Sequence, residues 1–192
     1  GFSQVERPAL PQGQLTAQYA CLILAALQPE NAIIVNESIT TGADYFPLGT
    51  GLPPHTLLTL PGGAIGYGIP CAVGAAMACP RRPVINFQAD GSALYTLQAL
   101  WMQARESLNI TTLICSNRSY NILNIEFSRS GITSPGRYAQ RLTDLNNPAI
   151  DWVQISQGMG VPAVAVDSCE SLAKELKIAL DEPGPHLIEM LF

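Results

Sequence analysis

The sequence predicts a doubly wound α/β domain, a mainly six-stranded parallel sheet with helices on both faces. Three observations carry that prediction. Short apolar, largely β-branched runs recur at Ala32–Asn36, Thr56–Leu60, Val84–Gln88, Thr111–Ser116, Ala163–Val166 and His186–Leu191, each the length of a strand buried on both sides. Patterns of helical length separate most of these runs, and parallel neighbours require such crossovers. Hydrophobic residues make up 47% of the 192 and charged residues only 13%, about half the usual quarter. So little charge predicts that other protein covers part of the surface, through self-association or as one piece of a larger polypeptide.

In chain order, residues 1–13 ("GFSQVERPALPQG") are polar and Pro-rich and are expected to be linker, with the domain proper over 14–192. Thr16 can cap a helix running to about Gln28, which leads into the first strand. After Thr56–Leu60, the small residues from Gly66 to Met77 predict a helix that lies close to the sheet. Val84–Gln88 delivers Asp90-Gly91-Ser92 to the sheet's carboxyl edge, and Leu94, Leu97, Leu100, Trp101 and Ala104 then form an apolar stripe in a helix ending near Ser107. Asn117 follows Thr111–Ser116 at the same edge. Ser128–Pro148, rich in Ser, Gly, Pro and Asn, is expected to be one long irregular loop, of the kind that is functional or mobile. Ser168 can cap the last helix through Leu180, which Asp181-Glu182-Pro183-Gly184 ends.

Composition also excludes. A net charge of −5 with no Lys/Arg cluster gives no field for nucleic acid. The longest apolar run, Ala20–Leu27, is too short to span a bilayer, and with no secretory pattern the expected location is the cytoplasm. Five cysteines without a C-x-x-C pair fit free thiols in a reducing compartment, and the N-x-S/T triplets at Asn36, Asn109 and Asn117 are chance. His55 and His186 have no metal-like neighbours, and His186 is expected to be a packed structural residue.

The chemistry concentrates at two strand ends. Gly91 and Ser92 open a helix with free backbone N–H groups, which favour an anion, yet Asp90 is an acid beside them. A cation between acid and anion resolves the conflict, and Mg²⁺ bridging a carboxylate and a diphosphate is the natural choice. An N-capping Asp with Gly and Ser as turn formers is the plain alternative for this tripeptide. Asn117 ends the neighbouring strand and should stand beside Asp90, where its amide oxygen and the Ser119 carbonyl are hard ligands suited to magnesium. Taken singly, Asn117 is equally a turn residue.

An Asp-Gly pair, an Asn twenty-seven residues on, and strand–helix–strand between them resemble the thiamine-diphosphate motif. The family is the thiamine-diphosphate-dependent 2-oxo-acid decarboxylases and acetohydroxyacid synthases, whose carboxy-terminal domain binds the cofactor's diphosphate. "VNESITTG", "GGAIGYGIP", "ADGSALYTLQALW", "SNRSYNIL" and "GPHLIEM" each have counterparts in order, nearest to members of the benzoylformate decarboxylase type. The resemblance implies that Asp90, Asn117 and the Ser119 carbonyl hold Mg²⁺. It implies that Thr40, the backbone near Ile39, Gly91, Ser92, Tyr120, Asn121 and Ile122 meet the diphosphate. Gly63 would offer its carbonyl to the cofactor's 4′-amino group, and Ile65 would prop the cofactor in its bent shape, although an ordinary core isoleucine is the alternative. The bend matters because the amino group must reach the thiazolium C2 proton.

The chain departs from the family at several positions. Ala89 stands where the family's first Gly is usual, which would be strained if the position needed φ > 0. Asn121 replaces a common Gly but tolerates left-handed geometry. Ile125 and Glu126 stand where acetohydroxyacid synthases proper carry Gln-Trp, which argues against that activity in the strict sense; Glu126 is expected to lie on a solvated helix face. The family's activating glutamate lies on a pyrimidine-binding domain, normally of a second subunit in a homodimer or homotetramer, and Glu37 lies on the wrong segment to replace it. No catalytic residue is therefore expected in this chain, which is expected to be a fragment inactive alone. A degenerate, non-catalytic binding or assembly module is the alternative, with Ala89 as its foothold. A dinucleotide domain is disfavoured, because neither "NESITTG" nor "GGAIGYG" has G-x-G-x-x-G spacing. Substrate choice within the 2-oxo acids is not legible; Ile122, Leu123 and the Ser128–Pro148 loop are its local candidates.

Overall fold

The computed structural model describes residues 7–192, so the linker expectation for residues 1–6 lies outside the described residues. Along the chain run α1 (Ala17–Leu27), β1 (Ile33–Glu37), α2 (Tyr45–Leu48), β2 (Thr56–Thr59), α3 (Gly68–Ala78) and β3 (Val84–Ala89). Then come α4 (Asp90–Ala93), α5 (Ala99–Arg105), β4 (Ile110–Ser116), α6 (Asn121–Arg129) and α7 (Arg137–Thr143). The chain closes with α8 (Trp152–Gly158), β5 (Ala163–Val166), α9 (Cys169–Asp181) and β6 (His186–Leu191).

All six strands pair in parallel, in the order β2-β1-β3-β4-β6-β5. From β1 the chain steps outward to β2, then returns to lay β3 on the other side of β1 and continues to β4. The order therefore reverses between β1 and β3, the switch point beyond whose carboxyl ends ligands bind in such sheets. Ile33 lies opposite Val84, and Ala89 opposite Cys115, which brings the ends of β1, β3 and β4 to one edge.

Alternation along the strands separates two faces. Ile34, Ile85, Phe87, Leu113, Cys115, Ile188 and Met190 pack beneath Ile23 and Leu24 of α1 and Leu172 and Leu176 of α9. On the other face, Ile33, Val35, Val84 and Ile110 lie under Ala72, Val73 and Ala76 of α3, and Ile114 and Leu187 lie under Leu100 and Trp152. Fully burying a side chain such as Phe87 or Ile85 stabilises by about 1.5–3 kcal/mol before entropy is subtracted, so both faces are needed to hold the sheet.

Helix starts follow the sequence. Thr16 Oγ1 accepts the Tyr19 N–H at 3.2 Å, and Ser168 and Ser171 cap reciprocally, each hydroxyl accepting the other's backbone N–H at 3.3 Å. Gly13 and Leu15 are tied into the domain, through Cys169 N–H to Gly13 O at 2.9 Å and Leu15 N–H to Asp167 O at 3.1 Å.

Three expectations need correction. The helix expected through Leu94–Ser107 is broken: α4 ends at Ala93, a turn occupies residues 94–98, and α5 starts at Ala99. Trp101 lies outside the buried stripe, 49% exposed, with the Arg105 guanidinium 5.3 Å from its ring centre. The Ser128–Pro148 stretch is not uniformly irregular, because α7 forms within it over Arg137–Thr143 and Thr143 is buried against the turn after β4. Strand ends move by a residue or two, with Ala32 and Leu60 outside and Ala89 and Ile110 inside. Among the described residues no helix is long and apolar enough to cross a membrane.

Candidate cofactor site at the switch point

Each strand that reaches the switch point ends in a turn held by its own side chains. Beyond β1, Asn36 Oδ1 accepts from the Ser38 backbone N–H at 3.1 Å and its hydroxyl at 2.6 Å, and Ile39 is driven to φ +52. A β-branched residue there costs about 1–3 kcal/mol, the kind of strain found at functional sites. Beyond β4, Asn117 Oδ1 accepts the Ser119 N–H at 3.0 Å and Arg118 takes φ +55. At the end of β3, Ala89 is extended at φ −76, ψ 143, so a methyl replaces the family's glycine without strain. Asn121, expected to exploit its tolerance of left-handed geometry, is instead the first residue of α6; the positive φ falls on Arg118.

The Asp90 carboxylate ties these turns together. Its Oδ1 accepts the Gly91 N–H at 2.7 Å and its Oδ2 accepts the Arg118 N–H at 2.6 Å, across from β3 to the turn after β4. At 2% exposure, burial pushes its carboxyl up to about 6, against backbone donors, Gly91 first, which pull it down. Glu189, on β6 and not singled out from the sequence, is a second acid of this region; burial raises its carboxyl, opposed first by the Ser116 hydroxyl.

A cavity opens here, lined by Ile39, Thr40, Ile65, Ala89, Asp90, Gly91, Ser92, Asn117, Ser119, Tyr120, Asn121 and Ile122. Of the residues expected from the sequence, Gly63 alone is not in that lining; it lies on the same exposed turn as Ile65, at φ +71. A methyl at Gly91 would sit 2.5 Å from Tyr120 Cε1, so glycine is needed for the ring to lie against the α4 start. Ser119 is fixed by its hydroxyl donating to Thr143 O at 3.1 Å and accepting from Asn124 Nδ2 at 3.1 Å. Glu126 pairs with Arg129 at 2.6 Å on an exposed face, as the sequence implies.

Sequence reasoning gave Glu37 no part in the site. Its carboxylate is 1% exposed and accepts the Gly66 N–H at 2.5 Å, the Gly68 N–H, and Gln88 Nε2 at 3.1 Å. An acid ending an otherwise apolar strand was the available signal, because a buried carboxylate must find donors.

The residues fit a magnesium diphosphate. Among the described residues there is no cluster of three or more His, Cys, Asp or Glu that could hold a metal. One carboxylate, one amide oxygen and backbone carbonyls are instead the donor set of a hard cation that shares its shell with phosphate oxygens.

Comparison with known proteins identifies the family. Residues 40–190 match the family model "Thiamine pyrophosphate enzyme, C-terminal TPP binding domain". The chain is 52% identical over 186 residues to a protein of Mycobacterium tuberculosis named "Putative acetolactate synthase large subunit IlvX", covering 96% of this chain and 36% of that one. It is 33% identical over 186 residues to benzoylformate decarboxylase of Pseudomonas aeruginosa, covering 95% of this chain and 34% of the relative. The solved thiamine diphosphate-dependent 4-hydroxybenzoylformate decarboxylase of Rhodococcus jostii superposes with a TM-score of 0.82 at 29% identity, over 97% of this chain and 34% of that one. The chain thus spans about a third of the length of these relatives. With the matched residues running from the turn after β1 into β6, the chain belongs to the thiamine pyrophosphate enzyme family, as its C-terminal cofactor-binding domain.

Proposed function

We propose that this domain holds thiamine diphosphate through Mg²⁺ at the switch point, as part of a larger enzyme acting on 2-oxo acids. The reading rests on one observation above all: Asp90 Oδ2 accepts the Arg118 N–H at 2.6 Å, so the carboxylate and the Asn117–Ser119 turn meet at one cavity. In this reading Asp90, Asn117 Oδ1 and the Ser119 carbonyl hold the cation. Thr40, the Ile39 backbone, Gly91, Ser92, Tyr120, Asn121 and Ile122 surround the diphosphate. Gly63 and Ile65 face the pyrimidine side. When bound, the cofactor supplies a thiazolium carbon nucleophile and an electron sink for decarboxylation or carboligation.

No residue of this chain is assigned the activating proton transfer. A pyrimidine-binding domain of a second subunit supplies that glutamate, in a homodimer or homotetramer. Support comes from exposed apolar side chains for another domain to cover: Phe46, Ile122, Leu123, Ile132, Tyr138 and Leu142 are 38–79% exposed, and Ile122 lines the cavity. Free thiols at all five cysteines suit a reducing, cytoplasmic setting. Ala89, the residue that favoured a degenerate, non-catalytic binding or assembly module, has an extended and unstrained backbone. Both an acetolactate synthase-like and a benzoylformate decarboxylase-like reaction are compatible with this site.

Calorimetric titration of the full-length protein with thiamine diphosphate tests the reading. Saturable binding with Mg²⁺ is expected, lost with a chelator and lost in Asp90→Ala. Binding that ignores both the chelator and the substitution would overturn it.

A further inference from the structure

We propose that Glu37 is a positioning residue for the cofactor's pyrimidine, its buried carboxylate anchoring the Pro61–Ile65 segment through Gly66 and Gly68; the proposal rests on the reading above. A carboxylate at 1% exposure is costly to bury, and no ion pair among the described residues includes it. It is compensated by N–H donors instead, two of them from a glycine turn twenty-nine and thirty-one residues along the chain. Gly66 is gripped from both sides: its N–H donates to Glu37 at 2.5 Å, and its carbonyl accepts from Thr96 Oγ1 at 2.9 Å.

Both glycines are shaped for this contact. Gly66 sits at φ +94, and a methyl there would lie 2.8 Å from Tyr95 Cβ. A methyl on Gly68 would lie 2.0 Å from Gln88 Oε1 and 2.8 Å from Glu37 Oε2. The segment just before them is different. Pro61 to Ile65 is exposed, with Gly62 and Gly63 both at positive φ and an Ala64 N–H to Pro61 O contact of 3.3 Å. Its position is therefore set by its anchors, and the anchor that faces the switch strand is the last residue of that strand. Gln88 donates from the same amide to Glu37 and, at 2.7 Å, to Ser92 Oγ, which also holds Ala89 O at 3.1 Å. The diphosphate side keeps supports that do not involve Glu37, the Ser92–Ala89 bond and the Asp90 bonds to Gly91 and Arg118, while the Gly63–Ile65 side is held through Glu37 and Thr96.

A ligand contrast separates positioning from general damage. The full-length protein and Glu37→Gln are titrated with Mg²⁺ plus thiamine diphosphate, and separately with Mg²⁺ plus inorganic pyrophosphate, which lacks the pyrimidine. Glutamine keeps the size but turns one acceptor into a donor facing an N–H. Affinity for thiamine diphosphate is expected to fall about tenfold or more, with pyrophosphate affinity held within about twofold. An equal loss for both ligands, or no loss for either, overturns the proposal. A wild-type protein that binds neither ligand overturns the magnesium-diphosphate reading itself, before the variant is compared. Should Glu37→Gln fail to fold, Thr96→Val, which releases the other side of Gly66, is put to the same contrast: selective loss of thiamine diphosphate supports the proposal, and its absence overturns it.

Discussion

Gly91→Ala is the sharpest single perturbation of the proposed diphosphate cradle. The new methyl would lie 2.5 Å from Tyr120 Cε1 and 2.6 Å from Cδ1, closer than real Cβ atoms come to a ring. The Tyr120 backbone cannot retreat easily, since its N–H donates to Thr143 O at 2.9 Å, so the ring must swing by about an ångström. Overpacking of this kind costs about 1–3 kcal/mol, and a ring displaced within the cavity lining moves that cost onto ligand binding. Affinity for thiamine diphosphate should therefore fall by about 5- to 150-fold, measured by calorimetry with saturating Mg²⁺. Backbone strain makes no contribution, because Gly91 is not among the residues at positive φ. Gly74→Ala is the control: Gly74 lies in the exposed face of α3 with nothing within 4 Å of an added methyl. It should leave affinity unchanged and gain about 0.5–1 kcal/mol of stability. Wild-type affinity in Gly91→Ala would refute the assignment of Tyr120 and the α4 start to one cradle.

Other consequences lie farther from the cavity. Ser168→Ala removes the capping box of α9 and should cost about 1 kcal/mol, seen as a melting temperature lower by about 2–4 °C. Cofactor affinity should not change, because α9 packs on the face opposite α3. Burial pushes the Cys21 thiol up to about 12, from an ordinary 9.0. A group whose folded value is raised contributes stability below its unfolded value that is lost as pH rises, because the unfolded thiol ionises first. Chemical denaturation should show stability declining from about pH 9 toward pH 12, by up to about 1.4 kcal/mol per pH unit for such a thiol, and Cys21→Ala should flatten the decline. The same burial should leave Cys21 and Cys115 unalkylated in the native protein at pH 8, by mass spectrometry.

The sheet was legible because parallel strands buried on both sides leave continuous apolar runs, and Val84–Gln88 and Thr111–Ser116 could hardly be anything else. Asp90 and Asn117 were legible as a pair because strand ends in a parallel sheet share an edge. What the sequence hid depended on contacts distant along the chain. The split between α4 and α5 leaves an apolar stripe that reads as one helix, and α7 forms in a Ser- and Gly-rich stretch with its Thr143 docked against Ser119 and Tyr120. The contacts of Glu37 were hidden for the same reason. Its neighbours in sequence say nothing of Gly66, Gly68 and Gln88, which only the fold brings to it. The concern over Ala89 dissolved once its backbone proved extended, a property no residue identity reveals.

Crystals of the full-length protein grown with Mn²⁺ in place of Mg²⁺ and with thiamine diphosphate test the central claim most directly, through the anomalous signal of the metal. The account predicts one strong peak within about 2.5 Å of an Asp90 carboxylate oxygen, Asn117 Oδ1 and the Ser119 carbonyl, with diphosphate oxygens completing the shell. A metal peak elsewhere, or a diphosphate bound at the ends of β1, β3 and β4 with no metal between it and Asp90, would contradict it.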